Sequence, residues 1–376
     1  MEKKAIIVCP FFLKLDGSDY SIGGSESYFY NLAMLLRYNN FEILILQNGL
    51  QPFYKNIDSI RIIGCTSIAE KDKILKSEFN NGSSIVFYSD FFSLTNYIPH
   101  PSVVINHGVM RDFTTYNFTN KLVEKIINFK RKYDQILLAS RILSKMKKVD
   151  KVITVDTNFQ NWMRIQFRWR DFEDKFVYVP NFANPISEDK IFAKINKKKI
   201  DRVLFARRFT KYRGIFLWVN VVKKLIIKYP AIEFVFCGSG DSETIKFLKN
   251  EFGNYEAVKI YETPYQMIME EHYAADIEII PSLGSEGTSF SAIEAMAAGC
   301  AVVATNIGGL GNIIIPEYNG ILVQPTEKDL ERAVVRLIEN PSFARKLGKR
   351  AYDVVKVALN KERWEKQIME IVNGLI

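Results

Sequence analysis

Residues 281–299 read PSLGSEGTSFSAIEAMAAG, and they lie between two strand-like runs, Ile277–Ile280 and Cys300–Ala304. The order of strand, loop, short helix and strand is typical of α/β proteins, in which a helix begins beside the carboxyl end of a strand. The stretch therefore predicts an α/β fold, with a candidate site in the loop that precedes the short helix.

The loop and helix of this stretch carry residues suited to a nucleotide sugar. Glu286 can accept hydrogen bonds from the hydroxyls of a polar ligand, and Gly287 permits a close backbone approach. Thr288 and Ser289 begin the predicted helix, whose free N–H groups and positive end suit an anion such as a diphosphate. Glu294, roughly two turns along, can reach a diol such as ribose. One segment is thus predicted to hold both ends of a nucleotide sugar.

A structural interpretation of the two glutamates is also open. Ser291 and Glu294 fit the capping-box pattern S-x-x-E, in which the glutamate only satisfies a backbone N–H group. The surrounding residues favour a functional interpretation. The stretch resembles the donor-binding signature of retaining nucleotide-sugar glycosyltransferases of the GT-B fold, family 4, in four parts: Pro281-Ser282, Glu294-Ala-Met-Ala-Ala-Gly299, Ala301–Thr305 and Gly308-Gly309.

This resemblance implies two Rossmann-like domains facing across a cleft, with the donor bound by the second domain. It implies that Glu286 binds the sugar hydroxyls and Glu294 the ribose. It also implies retention of the anomeric configuration, by front-face attack assisted by the leaving phosphate. The donor substrate is then a nucleotide-diphosphate sugar, and no separate cofactor is expected.

Two arginines, Arg208 and Arg213, follow a predicted strand at Arg202–Ala206 and precede Gly214. Guanidinium groups suit bidentate contact with phosphate oxygens. The resembled family has an arginine at this place and a lysine five residues later, and both bind the donor diphosphate. Arg208 matches the arginine, and Arg213 replaces the lysine. We therefore expect Arg208 and Arg213 to stabilise the charge of the leaving diphosphate.

Residues at three further places in the chain are assigned to the donor site. Gly23 and Gly24 precede a predicted helix, where backbone N–H groups can closely approach phosphate or the reacting sugar. His107 follows a predicted strand, and the family has a histidine here beside the donor sugar, so His107 is expected to position the sugar. Gly238 ends another strand and is included in the donor site. With Gly240 it lacks the third glycine of the dinucleotide fingerprint, which disfavours a nicotinamide site.

Two α/β segments are separated by a polar stretch. Strand and helix patterns alternate over residues 1–184, and a second alternation covers residues 202–355. Residues 185–201 contain a run of three lysines and show no periodicity, so we predict an interdomain linker there. In the resembled family the last helix, here within residues 356–376, crosses back to the first domain.

The net charge of +9 lies in one third of the chain. Residues 101–200 contain 20 Lys and Arg against 10 Asp and Glu, a net charge of +10. Within them, Lys121–Lys151 combines helical periodicity with a basic face, a pattern typical of helices on anionic membranes. A solvated helix packed on its own domain fits equally well. No nucleic-acid module is visible, so nucleic acid is not an expected partner.

Cysteine and histidine usage disfavours a metal site. The four cysteines are widely spaced, which indicates reduced thiols in a cytoplasmic protein. The three histidines are scattered and no Asp-x-Asp triplet occurs, so no metal is expected. The first twelve residues show no signal-peptide pattern, and no apolar run is long enough to span a membrane. We expect a cytoplasmic protein, with attachment to the inner face of the membrane left open.

Three functions are compatible with these patterns. A glycosyltransferase acting on a hydroxyl acceptor, in cell-surface or lipid-linked glycan assembly, is the leading hypothesis. A nucleotide-sugar epimerase or hydrolase of the same fold would consume the donor without an acceptor. A non-catalytic, membrane-associated binding partner is the third, and the presence of Glu286, Glu294 and Arg208 argues against it. The sugar, the base and the acceptor have no readable signature.

Overall fold

The computed structural model describes residues 3–20, 23–109, 121–166, 172–264, 267–284 and 286–376, and over residues 121–133 it describes the helix alone. The chain divides into two compact units. The first contains the residues up to His107, residues 121–179 and Glu365–Ile376, and the second consists mainly of Pro180–Trp364. Each unit is built around a mainly parallel sheet, which confirms the predicted α/β class with two Rossmann-like bodies.

The first unit contains, in the described part of the chain, the strands β1 (Lys3–Val8), β2 (Phe41–Asn48), β3 (Phe53–Ile57), β4 (Ile60–Cys65), β5 (Ser84–Tyr88), β6 (Ser102–Asn106), β7 (Lys151–Thr154) and β8 (Phe176–Tyr178). They form one sheet in the order β3-β4-β2-β1-β5-β6-β7-β8, parallel except for the pair β3 and β4. Its helices are α1 (Gly24–Tyr38), α2 (Ile68–Glu78), α3 (Lys121–Met146) and α4 (Asn158–Gln166). The hairpin β3–β4 and the helices α2 and α4 were not predicted from the sequence.

The second unit contains, in its described residues, the strands β9 (Arg202–Ala206), β10 (Glu233–Cys237), β11 (Val258–Tyr261), β12 (Ile277–Ile280), β13 (Ala301–Thr305) and β14 (Ile321–Val323). Their order, β11-β10-β9-β12-β13-β14, is that of a doubly wound parallel sheet, and it reverses between β9 and β12. The helices are α5 (Glu188–Ile195), α6 (Ile215–Lys228), α7 (Ser242–Phe252), α8 (Ile268–Ala274), α9 (Phe290–Ala297), α10 (Leu310–Ile313), α11 (Glu327–Glu339) and α12 (Pro341–Ala358). The last helix, α13 (Lys361–Asn373), begins in the second unit and ends in the first.

Both faces of the second sheet are buried because its strands are apolar on both sides. In β9, Val203 and Phe205 belong to one apolar cluster, and Leu204 and Ala206 belong to the cluster on the other face. Continuous apolar strands of this kind are typical of parallel sheets covered by helices. Glu278 is an exception, since its carboxyl group is fully buried in the middle of β12.

The stretch 185–201, predicted as an interdomain linker, contains the helix α5 in its central part. Ile191 and Lys194 of this helix are buried. The Lys194 ammonium donates hydrogen bonds to the carbonyl oxygens of His272 (3.0 Å) and Ala298 (2.8 Å). These contacts make the segment part of the second unit, which begins at Pro180. The helix is short and mostly exposed to solvent. Its single buried face therefore gives only a weak hydrophobic pattern, and the lysines that follow make the stretch polar in the sequence.

Helix α3 accounts for most of the basic segment Lys121–Lys151. Lys145 donates to the carbonyl oxygen of Phe91 at 2.6 Å, whereas Lys147 and Lys148 are exposed. Four apolar side chains in the second half of the helix are buried: Leu138, Ala139, Ile142 and Met146. This half of α3 therefore matches a helix that packs one face on its own unit and exposes the other to solvent. The side chains of residues 121–133 lie outside the described residues. Within the described chain, no helix is long and apolar enough to cross a membrane.

Candidate functional site

The candidate site of the second unit lies where the neighbouring strands β9 and β12 end. Arg207 follows β9 directly, and Ser282 lies two residues after β12. Because the strand order reverses between these strands, this edge is where ligands of doubly wound sheets bind. The loop that leads to α9 brings Glu286 to the same edge, next to both residues.

Glu286 is the centre of a buried ion cluster. Its Oε2 atom accepts hydrogen bonds from Arg207 Nη2 (2.7 Å), from Arg213 Nη1 and from the Ser282 hydroxyl. Arg207 Nη1 also donates to Ser282 Oγ at 2.6 Å. Burial raises the pKa of Glu286, but the two guanidinium groups outweigh this effect and bring the pKa to about 2. The carboxylate is therefore ionised at neutral pH, and it holds two cations at the end of the sheet.

The arginines that meet at this carboxylate are Arg207 and Arg213, whereas the predicted Arg208 does not contact it. The Arg207 side chain is 4% exposed and that of Arg213 is 19% exposed, whereas Arg208 is exposed to solvent. After β9 the backbone continues alongside the segment that follows β10, because the N–H groups of Arg207 and Phe209 donate to the carbonyl oxygens of Cys237 and Ser239. Neighbouring side chains of such an extended segment point to opposite sides, which turns Arg208 away from Glu286.

Gly238 packs against the backbone of the segment that follows β9. A Cβ atom at Gly238 would lie 2.1 Å from the carbonyl oxygen of Arg207. A larger residue would therefore push the two segments apart and move the Arg207 backbone. The structure shows this packing contact, and the contact of Gly238 with the donor stays a prediction.

Arg213 is placed by a turn that packs on the end of β12. The carbonyl oxygen of Tyr212 accepts a hydrogen bond from the N–H group of Leu283 at 2.8 Å. Gly214 has a φ of +80°, and a Cβ atom there would lie 1.9 Å from the carbonyl oxygen of Pro281. Both the backbone conformation and the close approach require glycine.

Replacing Gly214 by alanine is expected to lower the free energy of unfolding by about 2 kcal/mol or more, because backbone strain adds to a steric clash. Gly82→Ala is the matched control, since Gly82 has a φ of +85° with open space around a Cβ atom. Its loss should be about 1 kcal/mol, from backbone strain alone. Urea unfolding of both variants measures the difference, and equal losses would contradict the role of the Pro281 contact.

The loop before α9 is held by two other segments. The N–H group of Gly309 donates to the carbonyl oxygen of Glu286 at 2.8 Å, and a Cβ atom at Gly308 would lie 2.0 Å from that oxygen. Asn181 donates its backbone N–H to Thr288 Oγ1 (3.0 Å) and its side-chain Nδ2 to the Thr288 carbonyl oxygen (2.6 Å). The position of Glu286 is therefore set by residues distant in sequence.

Helix α9 starts after Ser289, which is its N-cap residue. The predicted loop residues Gly287 and Thr288 thus precede a helix N-terminus, where backbone N–H groups and the helix dipole favour an anion. Ser291, in the first turn, donates its hydroxyl to the carbonyl oxygen at the end of β9 (3.0 Å). The capping-box interpretation therefore does not account for Glu294.

Glu294 lies beside a buried pair that the sequence did not predict. His272 Nδ1 is 2.6 Å from Glu278 Oε2, and His272 Nε2 is 3.5 Å from Glu294 Oε2. His272 and Glu278 are fully buried, and the Glu294 side chain is 13% exposed. The three residues come from α8, β12 and α9. The one visible signal was a glutamate inside the apolar strand Ile-Glu-Ile-Ile.

The predicted residues of the first unit follow β1 and β6. Gly23 is the N-cap residue of α1, and Gly24 is its first residue. His107 follows β6 and packs against the rings of Tyr28 and Phe29 of the same helix, with centroids 5.2 and 5.8 Å away. Burial lowers the pKa of His107 to about 4, so the ring is neutral at pH 7. Its buried Nε2 atom has no hydrogen-bond partner among the described residues.

The two Rossmann-like units match the GT-B fold of solved glycosyltransferases. The chain matches sucrose-phosphate synthase from Thermosynechococcus elongatus with a TM-score of 0.76 and 19% identity, over 99% of both chains. It matches HepE of Anabaena, solved in complex with UDP-glucose, with a TM-score of 0.73 and 14% identity, over 99% of this chain and 100% of that chain. At these identities the similarity concerns the fold.

Sequence comparisons relate this chain to glycosyltransferases. Residues 187–354 match the family model of glycosyl transferases group 1. An uncharacterized glycosyltransferase of Methanocaldococcus jannaschii is 29% identical over 241 residues, which are 60% of this chain and 57% of that protein. The chain spans about half the length of the curated relatives it matches. These matches support a glycosyltransferase, and the matched segment contains the whole Glu286 cluster.

Proposed function

We propose that the protein is a retaining glycosyltransferase that moves a sugar from a nucleoside diphosphate sugar to a hydroxyl group of an acceptor. The observation that carries this proposal is the cluster of Arg207, Glu286 and Arg213 at the carboxyl ends of β9 and β12. The family match of the same segment and the UDP-glucose complex of HepE support a nucleoside diphosphate sugar as the donor.

The proposed role of the cluster is to hold the leaving diphosphate. A guanidinium group has five N–H donors, so Arg207 and Arg213 can bind Glu286 and still donate to phosphate oxygens. Because Glu286 holds both groups in place before the donor binds, little reorganisation is needed when negative charge develops. The N-terminus of α9 offers backbone N–H groups to the same anion.

The other candidate residues are assigned to the remaining parts of the donor. Glu286 binds sugar hydroxyls in addition to its arginines, and Glu294 binds the ribose diol. His107, with a neutral ring and a buried free nitrogen, holds a hydroxyl of the transferred sugar. Gly23 and Gly24 let the backbone at the start of α1 approach the sugar or its phosphate.

The proposed reaction takes place on one face of the sugar. The acceptor hydroxyl attacks the anomeric carbon from the side on which the diphosphate leaves. The bond between the anomeric carbon and the phosphate oxygen breaks, and the hydroxyl proton passes to that oxygen. No carboxylate is assigned as a covalent nucleophile. The product keeps the configuration of the donor, which NMR of the product anomeric proton tests.

A panel of UDP, GDP, ADP and TDP sugars tests the donor class. We expect at least one member to raise the Tm, because a ligand that binds only the folded state stabilises it. Release of the nucleoside diphosphate should then depend on an added acceptor. An epimerase or hydrolase would consume the donor at full rate without acceptor, and no thermal shift with any member of the panel would refute the proposal.

Donor turnover is expected to persist in excess EDTA, because Arg207 and Arg213 supply the positive charge that a metal ion provides in other enzymes. Release of nucleoside diphosphate, with and without chelator, measures this independence. Loss of turnover in EDTA, with recovery on adding magnesium or manganese, would contradict it.

We also propose that the basic segment Lys121–Lys151 draws the protein to anionic membranes, where a lipid-linked acceptor would be found. The exposed Lys147 and Lys148 support this, since each basic residue near a membrane surface contributes about 1 kcal/mol. Changing both to glutamate should reduce flotation with phosphatidylserine vesicles at low salt and spare turnover of a soluble donor. Lys198→Glu with Lys199→Glu, at exposed positions of the second unit, is the control with the same change of charge. Equal flotation of the two double variants would leave only the solvated-helix interpretation.

A further inference from the structure

Glu294, a residue of the candidate donor site, lies next to the buried pair of His272 and Glu278. His272 lies between two carboxylates, with Nδ1 2.6 Å from Glu278 Oε2 and Nε2 3.5 Å from Glu294 Oε2. Of these three side chains only Glu294 is exposed to solvent, at 13%. Glu294 is therefore the outer end of a row of three groups that begins in the middle of the sheet.

His272 is charged at neutral pH. Burial lowers its pKa, but the carboxylates of Glu278 and Glu294 outweigh this effect and raise the pKa to about 10. Both ring nitrogens of an imidazolium are donors, and Nδ1–H is directed to Glu278. Nε2 makes no hydrogen bond within the described residues, and it faces Glu294 Oε2 as an ion pair at 3.5 Å. Lys194 and Cys300 also pack here, but each donates to the backbone carbonyl oxygen of His272, at 3.0 Å.

Stability alone does not explain this pair. Removing two charged groups from water costs more than filling the same space with apolar side chains. Glu278 lies among isoleucines of β12, and its Oε1 atom is buried with no hydrogen-bond partner in the described part of the chain. What the pair supplies, and apolar residues would not, is a fixed charged ring next to Glu294.

We propose that His272 is a positioning residue, whose ring attracts one oxygen of Glu294 across the Nε2 contact of 3.5 Å and so keeps the carboxylate turned toward the ribose diol of the donor. This inference rests on the proposed function, in which Glu294 binds the ribose. A carboxylate that is already oriented loses less conformational entropy when the two hydroxyls bind, so its contacts contribute more to affinity.

The preference for a ribonucleotide over its 2′-deoxy counterpart reports how well Glu294 binds the diol. Isothermal titration calorimetry would compare UDP, GDP and ADP, each with its 2′-deoxy form, in the wild type, Glu294→Gln and His272→Gln. We expect the wild type to prefer the ribose form by about tenfold or more, as for a hydrogen bond to a charged group. Glu294→Gln should lose most of this preference and His272→Gln a large part of it, with 2′-deoxy binding nearly unchanged.

Two further variants separate positioning from folding. Glu278→Gln keeps an oxygen acceptor for His272 Nδ1 and removes the buried charge, so it should lower the preference in the same direction. His100→Gln is the matched histidine control, because His100 is exposed and pairs with Asp150 in the first unit (2.8 Å). With three histidines in the chain, ring ¹⁵N NMR signals can be assigned from these variants. We expect His272 to be an imidazolium at pH 8.

The outcomes distinguish this inference from the proposed function. If folded His272→Gln keeps the wild-type preference, or weakens ribose and 2′-deoxy forms equally, the positioning role is overturned while the proposed function stands. If His272→Gln does not fold, the preference of Glu278→Gln and the ring NMR decide in the same way. If the wild type binds none of the nucleotides, the proposed function fails, and the inference fails with it.

Discussion

Arg207→Ala is expected to lower kcat/KM for the donor about a hundredfold or more, in line with the loss of single electrostatic donors in other enzymes. The Arg207 side chain is buried and bound to Glu286, at the strand end where the leaving diphosphate is proposed to lie. Arg208→Ala removes the same charge one residue away, from an exposed position, and should leave kcat/KM nearly unchanged. Arg213→Lys should keep most of the activity, because it preserves the charge.

Steady-state kinetics of nucleoside diphosphate release measures this comparison, with circular dichroism to show that each variant is folded. Arg207→Ala and Arg208→Ala remove the same charge at neighbouring positions, so their comparison controls for net charge and for local backbone effects. A large loss in Arg208→Ala together with wild-type activity in Arg207→Ala would reverse the assignment made from the structure and return it to the one that the family resemblance implies.

Glu286→Gln is expected to lower the free energy of unfolding by about 3 kcal/mol at pH 7, because it leaves a buried arginine without its counter-ion. The folded-state pKa of Glu286 is about 2, below the ordinary value of 4.5 for a glutamate. Its stabilising contribution is therefore fully present above the unfolded-state pKa and is lost as the pH falls through the folded-state value. The difference between wild type and variant should thus shrink as the pH falls from about 4.5 toward 2.

Urea unfolding at pH 7, 5 and 3 measures this dependence. Glu188→Gln, which breaks an exposed pair with Lys356, is the control and should change stability little. A Glu286→Gln variant as stable as the wild type at pH 7, or a loss that does not depend on pH, would show that the cluster does not hold the strand ends together.

The amino-acid sequence predicted the class of fold and the elements around residues 281–299 well, because both depend on local patterns. Strand alternation and the residues of the turn at 281–299 identify β12, α9 and β13 without any tertiary information. Elements with weaker patterns were missed. The hairpin β3–β4 has a half-exposed edge strand, and α5 presents a single buried face in a polar stretch.

By itself, then, the sequence determined that this protein is an α/β chain with two alternating segments, and its resemblance to a known family implied two Rossmann-like units. Only the tertiary structure decided that Arg207, not Arg208, meets Glu286, because the direction of a side chain at a strand end depends on what the backbone pairs with. Only the tertiary structure placed His272 between Glu278 and Glu294. Those groups come from a helix, a strand and another helix, and packing rather than spacing brings them together.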